Sequence, residues 1–492
     1  MYRIQPIFIT ILDTMLITLE CILLALQAVA AVRLALESPI GTTSQSNNRL
    51  SKRSPVVLDG DIKKCYTIKV NADGVNLNLQ VDSAISSIIV PLSSLSSDVS
   101  LAPQHTPNGE PVTIDYKGNE YRGISSDAVV TIPGTRITDI KLPVLAVRKQ
   151  SPDLVGIDPE FDGIFGFGNS LLSNHHSRIT AMDALYNGGI IPNNEVSLQL
   201  CPYEMTSNSF INIGNTDVTA KCGTDGRSVA WVDSPPDGRH TVNIKSILIN
   251  DKPVNLPEEF QKRVKDGRTL YSVIQTCFRY IRFPEVVVKA LIDAILDSGA
   301  ITVKKAMYSN KLNSEEIKRI FWEHYAMLES KLNIDWGKLP TLSITMFAQN
   351  PVTDSNRNSV VTIKLGPRDY IQRYDSERFV FIVAAGSNDN VILGIPFMTR
   401  LGLTFDRAHK RIGFGPGCGC EVMADGYPTI SNGYQVLWPL PHVRLPEQPT
   451  TSGSDGTFIR KRRPTTTTDQ IAVPENTHHT VKSHKQTHNK LD

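Results

Sequence analysis

The stretch Ala294-Ile-Leu-Asp-Ser-Gly-Ala300 is an apolar run that ends in a carboxylate, a hydroxyl residue and a glycine. The stretch Leu77-Asn-Leu-Gln-Val-Asp-Ser-Ala-Ile-Ser86, in the other half of the chain, has the same form. Burying a lone carboxylate costs roughly several kcal/mol unless it is paired, hydrogen-bonded or neutralised. The two stretches therefore predict two strands, one in each of two related halves, that end in the aspartates Asp82 and Asp297.

Two carboxylates held close together would have a specific chemistry. They cannot both ionise easily, so they share a proton, and one can act as a base while the other acts as an acid. An apolar-apolar-glycine strand follows each stretch, Phe161-Asp-Gly-Ile-Phe-Gly-Phe-Gly168 in the first half and Val391-Ile-Leu-Gly-Ile-Pro-Phe397 in the second. This second similarity between the two halves supports a molecule in which each half contributes one aspartate.

Five motifs in the body of the chain carry a resemblance to a known family: Val81-Asp-Ser-Ala84, Asp162-Gly-Ile-Phe-Gly166, Glu195-Val-Ser-Leu-Gln-Leu-Cys201, Ile295-Leu-Asp-Ser-Gly299 and Leu403-Thr-Phe-Asp-Arg-Ala-His-Lys-Arg-Ile-Gly-Phe414. With them, residues 60–425 resemble the pepsin-type aspartic proteases (peptidase A1 family), most closely the beta-secretase (memapsin) branch. The resemblance implies a mainly β, bilobal pepsin-like fold, with pseudo-two-fold related lobes and a central cleft.

The resemblance also implies roles for individual residues. Asp82 and Asp297 would be the catalytic dyad, which activates a water against a peptide carbonyl without a metal or another cofactor. Tyr116 matches the tyrosine of a flap over the cleft, and a plain cross-strand aromatic is the alternative. The residues implied to support the dyad lie in its two loops: Ser83, Ala84, Ser298 and Gly299.

Three positions depart from the family pattern. Ala84 replaces a loop glycine, and a positive φ there would be strained. Ile85 and Ala300 replace hydroxyl residues that hydrogen-bond the aspartates, and losing one such donor costs about 1–3 kcal/mol. Two functions remain open: a secreted aspartic endopeptidase working at acidic pH, or a catalytically weakened or inactive pepsin-like protein that binds peptides or proteins in its cleft.

Composition and the two ends of the chain set the domain plan. Residues 7–34 are mostly apolar and contain Ala28-Val-Ala30, a small-x-small cleavage pattern; an uncleaved N-terminal anchor is the alternative. Lys52-Arg53 predicts the cleavage site at the end of a propeptide, and a solvated basic pair is the alternative. The last residues are too polar for a core or a C-terminal membrane anchor. We expect a signal peptide (1–30), a short propeptide (31–53), an N-terminal lobe (54–235), a C-terminal lobe (236–425) and a largely disordered tail (426–492).

Composition and the N-terminal segment also predict where the protein is located and what it binds. A signal peptide places the chain in the secreted or secretory/endolysosomal pathway. The net charge of +2 over 492 residues argues against nucleic acid as a main partner. The family resemblance implies a peptide or protein substrate, and we expect a monomer. Outside the signal, six cysteines favour disulfides with 15 possible connectivities: Cys65, Cys201, Cys222, Cys277, Cys418 and Cys420. The family resemblance implies that Cys201 pairs with Cys418 or Cys420. No metal site is expected, because no Cys/His pair has zinc spacing.

One further stretch predicts a helix. Residues 314–332 carry apolar side chains near helical spacing, among them Ile317, Ile320, Phe321 and Leu328. Helices are few elsewhere, and alternating strands predominate.

Overall fold

The computed structural model describes residues 56–61, 64–91, 109–116, 119–147, 162–169, 179–201, 209–214, 229–235, 239–265, 267–304, 311–417 and 425–437. Within these ranges most regular structure is strand, which confirms the mainly β, bilobal pepsin-like fold class. The predicted signal peptide and propeptide lie outside the described residues, as do Cys222, Cys418 and Cys420.

The elements of the first half of the chain are β1 (Val56–Val57), β2 (Asp59–Asp61), β3 (Lys64–Ala72), β4 (Val75–Asp82), β5 (Ile88–Pro91), β6 (Pro111–Tyr116), β7 (Asn119–Thr131), β8 (Ile140–Val147), β9 (Gly163–Gly166), α1 (Ala181–Asn187), β10 (Glu195–Gln199), β11 (Phe210–Ile213) and β12 (Ala230–Asp233). Eight of these strands form one sheet, in the order β2-β3-β4-β9-β5-β8-β7-β6.

The second half begins after the predicted lobe boundary. Its first elements are β13 (Thr241–Val242), β14 (Ile244–Ile249), β15 (Lys252–Pro253), β16 (Val264–Lys265), β17 (Arg268–Thr269), β18 (Ser272–Ile274), β19 (Ile281–Pro284), α2 (Glu285–Asp297), β20 (Ile301–Val303), α3 (Ser314–Ile317), a π-helical segment (Lys318–Trp322), β21 (Met327–Leu328), β22 (Leu332–Ile334) and a 3₁₀ turn (Trp336–Lys338).

The remaining elements are β23 (Leu342–Phe347), β24 (Val360–Leu365), α4 (Pro367–Tyr370), β25 (Ile371–Asp375), β26 (Arg378–Phe381), β27 (Val383–Gly386), β28 (Ile392–Leu393), α5 (Ile395–Met398), β29 (Leu401–Asp406), β30 (Arg411–Pro416), β31 (Thr429–Asn432) and β32 (Gln435–Leu437). They complete sheets β13-β18-β28-β19-β27 and β15-β14-β23-β24-β31-β32. Sheet β1-β11-β10-β29-β30-β12 takes strands from both halves.

A four-strand arrangement occurs once in each half. In the first, β4 runs parallel to β9, β9 antiparallel to β5, and β5 parallel to β8. In the second, β18 runs parallel to β28, β28 antiparallel to β19, and β19 parallel to β27. The same order and directions make β4 the counterpart of β18, β9 of β28, β5 of β19, and β8 of β27.

The prediction that an apolar strand leads into Asp297 is wrong, because residues 285–297 form α2. Buried side chains recur along α2 at helical spacing: Val287, Val288, Leu291, Ile292 and Ile295. The helix ends at Asp297, and Gly299 follows with a φ of 62°, a left-handed conformation common just after helix C-termini. Asp-Ser-Gly is therefore a helix terminus here.

Two other expectations are corrected. The helix predicted over residues 314–332 ends at Trp322, and β21 and β22 occupy its second part. The tail expected from residue 426 is not disordered at its start, because β31 pairs with β24 and β32 pairs with β31. A two-residue turn, Gly433-Tyr434, joins these two strands, with Gly433 at a φ of 61°, and glycine at the first position of such a turn is typical of a type II′ hairpin. No helix among the described residues is long and apolar enough to cross a membrane.

Candidate active site

Asp82 stands at the end of β4, where alternating side chains enter the core. Leu77, Leu79 and Val81 are buried, and Asp82 itself is 1% exposed. Its carboxylate oxygen Oδ1 accepts a hydrogen bond from the backbone N–H of Ala84 at 2.8 Å. Ala84 is not among the described residues with a positive φ, so the strain expected from a methyl group there does not arise. The loop thus holds a buried carboxylate at the end of the strand, as the sequence predicts.

Four hydrogen bonds join the loop after Asp82 to the loop after β18. The N–H of Ser83 donates to Oγ1 of Thr276 at 2.9 Å, and the N–H of Thr276 donates to Oγ of Ser83 at 3.1 Å. The two hydroxyls then donate onward, Ser83 to the carbonyl of Ile274 at 3.0 Å and Thr276 to that of Val81 at 2.9 Å. This reciprocal brace is buried, and the residue that completes it is Thr276, not the predicted Ser298.

The brace fixes which residues correspond in the two halves. Ser83 and Thr276 are 193 positions apart. The same separation relates β5 to β19, both of which end in proline. Strand pairing agrees, because Val81 pairs with Phe165 of β9 and Ile274 pairs with Leu393 of β28. The residue between Ile274 and Thr276, the counterpart of Asp82, is Gln275.

Two glycines support this correspondence independently. A Cβ on Gly166 would lie 2.5 Å from the carbonyl oxygen of Ile85, and a Cβ on Gly394 would lie 2.2 Å from that of Phe278. Ile85 and Phe278 occupy matching places in the two loops, three residues after Asp82 and Gln275. Each loop therefore packs its backbone against a glycine at the end of the neighbouring strand, Gly166 in β9 and Gly394 directly after β28. The match confirms that the loop containing Gln275 corresponds to the loop containing Asp82.

Gln275 differs from Asp82 in what its side chain can do. Its backbone N–H donates to the carbonyl of Leu393 at 3.0 Å, and the side chain is half-buried. The side-chain amide makes no hydrogen bond to any residue that the structure describes. A carboxamide can donate and accept hydrogen bonds, but unlike a carboxyl it does not titrate. The two corresponding positions therefore carry one carboxyl group, on Asp82, and one amide, on Gln275.

The predicted second aspartate lies elsewhere. Asp297 is exposed at the end of α2, and α2 packs on β14, β19 and β27. The hydroxyl of Ser298 donates to the carbonyl of Ile295 at 2.6 Å and accepts from the N–H of Ala300 at 3.1 Å. These contacts close the helix end. No hydrogen bond among the described residues joins Asp297, Ser298, Gly299 or Ala300 to the Asp82 loop, so the structure does not bring the two predicted loops together.

The hairpin of β6 and β7 places Tyr116 over Asp82. The hydroxyl of Tyr116 donates to Oδ2 of Asp82, and Tyr116 is 4% exposed. Its ring packs in a small apolar cluster with Ile89, Ile114 and Ile164. A ligand that hydrogen-bonds this carboxylate oxygen must compete with the Tyr116 hydroxyl.

A disulfide joins the halves beside the brace. Cys65 of β3 is bonded to Cys277, the residue directly after Thr276, with 4.9 Å between the two Cα atoms. Cys277 is the counterpart of Ala84 in the other loop. Cys201 is also disulfide-bonded, and its partner lies outside the described residues, so its predicted pairing with Cys418 or Cys420 stays a prediction.

A buried aromatic junction lies behind the first loop. The N–H of Phe167 donates to the backbone carbonyl of Asp82 at 3.2 Å, and the ring of Phe167 packs against His240 and Phe405. Burial, with a further effect of the Arg407 charge, lowers the pKa of His240 to about 3. Desolvation by burial likewise lowers the pKa of the Arg407 guanidinium. The imidazole is therefore neutral at neutral and mildly acidic pH.

The described residues contain no group of three or more His, Cys, Asp or Glu side chains placed to hold a metal ion. A comparison with known families gives a match to the eukaryotic aspartyl proteases over residues 98–417, most of the chain. The activity of that family is peptide hydrolysis, which makes peptides the expected ligands of its cleft. This match agrees with the twofold strand arrangement and with the brace between the Asp82 and Gln275 loops, and the chain belongs to the eukaryotic aspartyl protease family.

Proposed function

We propose that this protein differs from the active peptidases of its family. It binds polypeptides in its cleft and hydrolyses them poorly or not at all. The single observation that carries the proposal is the identity of residue 275. Gln275 occupies the position that corresponds to Asp82, where hydrolysis requires a second carboxyl group. The proposal takes up the binding alternative that the sequence left open. Membership of the family supports peptidase activity in general. Whether this member hydrolyses peptides depends on the residues of its own site.

The chemistry of the pair supports the proposal. Hydrolysis needs one carboxylate to take a proton from water and a carboxylic acid to give one to the carbonyl oxygen. Asp82 can perform one of these steps at a time, and the Gln275 amide can perform neither. General acid or base catalysis by one positioned group contributes about 10²–10⁴-fold in rate. We expect at least that loss relative to a complete dyad.

The same pair suits an intact peptide bond. Asp82 offers carboxylate oxygens as acceptors, and Gln275 offers both an amide N–H donor and a carbonyl acceptor. A peptide group presents one N–H and one C=O, so the pair can satisfy both without any proton transfer. Tyr116 would leave Oδ2 of Asp82 when the peptide enters. The cleft then holds a peptide by hydrogen bonds that do not lead to cleavage.

The experiment compares four versions of the full chain after secretion: wild type, Gln275→Asp, Gln275→Asp with Asp82→Asn, and Asp297→Asn. Each is incubated with an unfolded protein between pH 3 and pH 7, with and without a transition-state-mimicking aspartic protease inhibitor. We expect inhibitor-sensitive cleavage from Gln275→Asp alone. Asp297→Asn serves as the matched control, because it also removes one aspartate and should change neither folding nor cleavage.

Two results would contradict the proposal. Inhibitor-sensitive cleavage by the wild type, abolished by Asp297→Asn, would restore the predicted Asp82–Asp297 dyad. A folded Gln275→Asp variant with no gain over the wild type would show that the amide is not the missing element. Binding is measured separately, by titrating the wild type with the inhibitor, and saturable binding without cleavage is the expected result.

We further propose that the protein acts in the secretory pathway, as a monomer. The apolar segment of residues 7–34 and the Cys65–Cys277 disulfide support this location, because disulfides persist in oxidising compartments. The similarity of Glu195-Val-Ser-Leu-Gln-Leu-Cys201 to the beta-secretase branch supports the secretory location. Mass spectrometry of the secreted chain tests it, and a mature N-terminus at Ser54 is expected.

A further inference from the structure

A cavity of about 740 Å³ opens in the C-terminal half, and none of its lining residues belongs to the Asp82 loop, the Gln275 loop or the β6–β7 hairpin. Its volume falls within the range of about 300–1,000 Å³ that is usual for small-molecule sites. Its floor is apolar and buried, formed by Ile320, Met327 and Leu332. Its half-buried walls include Val303 and Leu328. An apolar group of a ligand could therefore be shielded from water here.

The backbone that frames the cavity is irregular. The π-helical segment Lys318–Trp322 replaces regular helix, and His324 follows with a φ of 55°. A π-helical turn inside a helix is often found at functional sites, and a left-handed non-glycine residue persists only where its surroundings hold it. Here the surroundings do so, because the His324 ring packs against the tilted ring of Tyr280, with 4.8 Å between the ring centroids, and its Nδ1 lies 3.1 Å from the carbonyl oxygen of Phe381. The segment is thus held in the conformation that places Arg319 and Tyr325 on the cavity.

The polar side chains on the cavity carry an excess of positive charge. Arg319 lies over the Tyr325 ring at 4.6 Å, and Lys331 is a second cation. Neither makes an ion pair with any described residue. The carboxylate of Glu316 also lines the cavity, but it already accepts the N–H of Asn313 at 2.9 Å. An entering anion would therefore meet two available cations and one carboxylate that is already hydrogen-bonded.

From this arrangement we propose that the cavity binds an amphiphilic monocarboxylate, such as a medium- or long-chain fatty acid. Its apolar chain lies on Ile320, Met327 and Leu332, and its carboxylate faces Arg319 and Lys331. The site is independent of the peptide-binding proposal, because it uses other residues and no proton transfer.

The physical terms set the expected binding pattern. Each buried methylene adds about 0.8 kcal/mol, which is about a three- to fourfold gain in affinity per carbon until the cavity is filled. The two exposed cations together should account for about a tenfold change in affinity, since each exposed charge pair contributes modestly. Affinity should therefore depend strongly on chain length and less strongly on charge.

The test is isothermal titration of the full secreted chain at pH 7.5 with hexanoate, octanoate and decanoate, each below its micelle-forming concentration. Decanol and decyltrimethylammonium are the neutral and cationic probes. The variant Arg319→Gln with Lys331→Gln removes the two cations. Lys318→Gln with Lys338→Gln is the matched control, because it also removes two positive charges, from lysines that pair with Glu323 and Asp335 and do not line the cavity.

We expect one saturable site whose affinity rises with chain length. The cavity variant should lower decanoate affinity about tenfold and leave decanol affinity unchanged, and the control variant should change neither. Absence of saturable binding, an affinity independent of chain length, or an equal loss in the two double variants would overturn the proposal. All four substituted side chains are exposed, so the variants should keep the wild-type melting temperature, which is measured alongside.

Discussion

Removing the Cys65–Cys277 disulfide should lower the free energy of unfolding by several kcal/mol, because this one bond closes a long loop of the unfolded chain. The bond spans 212 residues and links strand β3 directly to the Gln275 loop. In the chain-entropy treatment a disulfide stabilises by restricting the unfolded chain, and a loop of this length corresponds to about 5 kcal/mol at 25 °C. We therefore expect Cys65→Ser with Cys277→Ser to lose up to about 5 kcal/mol of unfolding free energy.

The measurement is urea unfolding at pH 7 without reductant, followed by both fluorescence and circular dichroism. The single variants Cys65→Ser and Cys277→Ser supply the internal control, because each breaks the same bond. If loop entropy is the cause, the two single variants and the double variant should lose similar amounts. The hydrogen bonds between Ser83 and Thr276 remain in every variant, so the folded chain should retain its structure under native conditions.

The outcome that would refute this reasoning is a double variant within about 1 kcal/mol of the wild type. It would mean that the link between residues 65 and 277 restricts the unfolded chain much less than the chain-entropy treatment requires. A large difference between the two single variants would instead assign the loss to local packing, because Cys277 is buried and Cys65 is only half-buried.

Three other predictions concern single side chains. Burial lowers the pKa of His240 to about 3, so the folded state resists protonation that the unfolded state accepts below about pH 6.5. Stability is therefore present above pH 6.5 and is lost as the pH falls towards 3, by about 2 kcal/mol at pH 5, and His240→Gln should flatten this dependence in urea titrations at pH 8 and pH 5. Tyr116→Phe removes the hydroxyl donor to Asp82, so inhibitor affinity should rise about three- to tenfold in calorimetric titration; a fall would show that the hydroxyl contacts the ligand. Thr276→Val leaves Ser83 N–H and Val81 C=O without partners and should cost about 2–4 kcal/mol, whereas Thr276→Ser, which keeps the hydroxyl, should cost less than about half of that in the same unfolding assay.

The first half of the site could be predicted because its signals are local. Leu77, Leu79 and Val81 alternate with polar residues, which predicts a half-buried strand, and Asp82 follows where that strand ends. The Phe161-Asp-Gly-Ile-Phe-Gly-Phe-Gly168 motif predicts the neighbouring strand β9. Each of these inferences requires only the residues of one element.

The position of Asp297 was harder to predict, because the tripeptide Asp-Ser-Gly can end a helix as readily as a loop. Asp-Ser-Gly suits a helix C-terminus, where glycine adopts the left-handed conformation that other residues avoid. The helical spacing of the apolar residues from Val287 to Ile295 is the signal in the sequence that indicates a helix here and not a strand. A window of only the last three residues before Asp297 cannot distinguish a period of 2 from one of 3.6.

The role of Gln275 could not be predicted from a sequence motif, because Ile274-Gln-Thr-Cys277 contains no carboxylate. Its place follows from the reciprocal bonds of Ser83 and Thr276, which use only backbone groups and hydroxyls. Such a brace does not depend on the charge of the residue beside it, so the loop keeps its geometry with a carboxamide where hydrolysis would need a carboxyl. Folding and catalysis are therefore separable at this position. For the same reason Gln275→Asp should fold with the brace intact, and any activity it gains can be attributed to the added carboxyl alone.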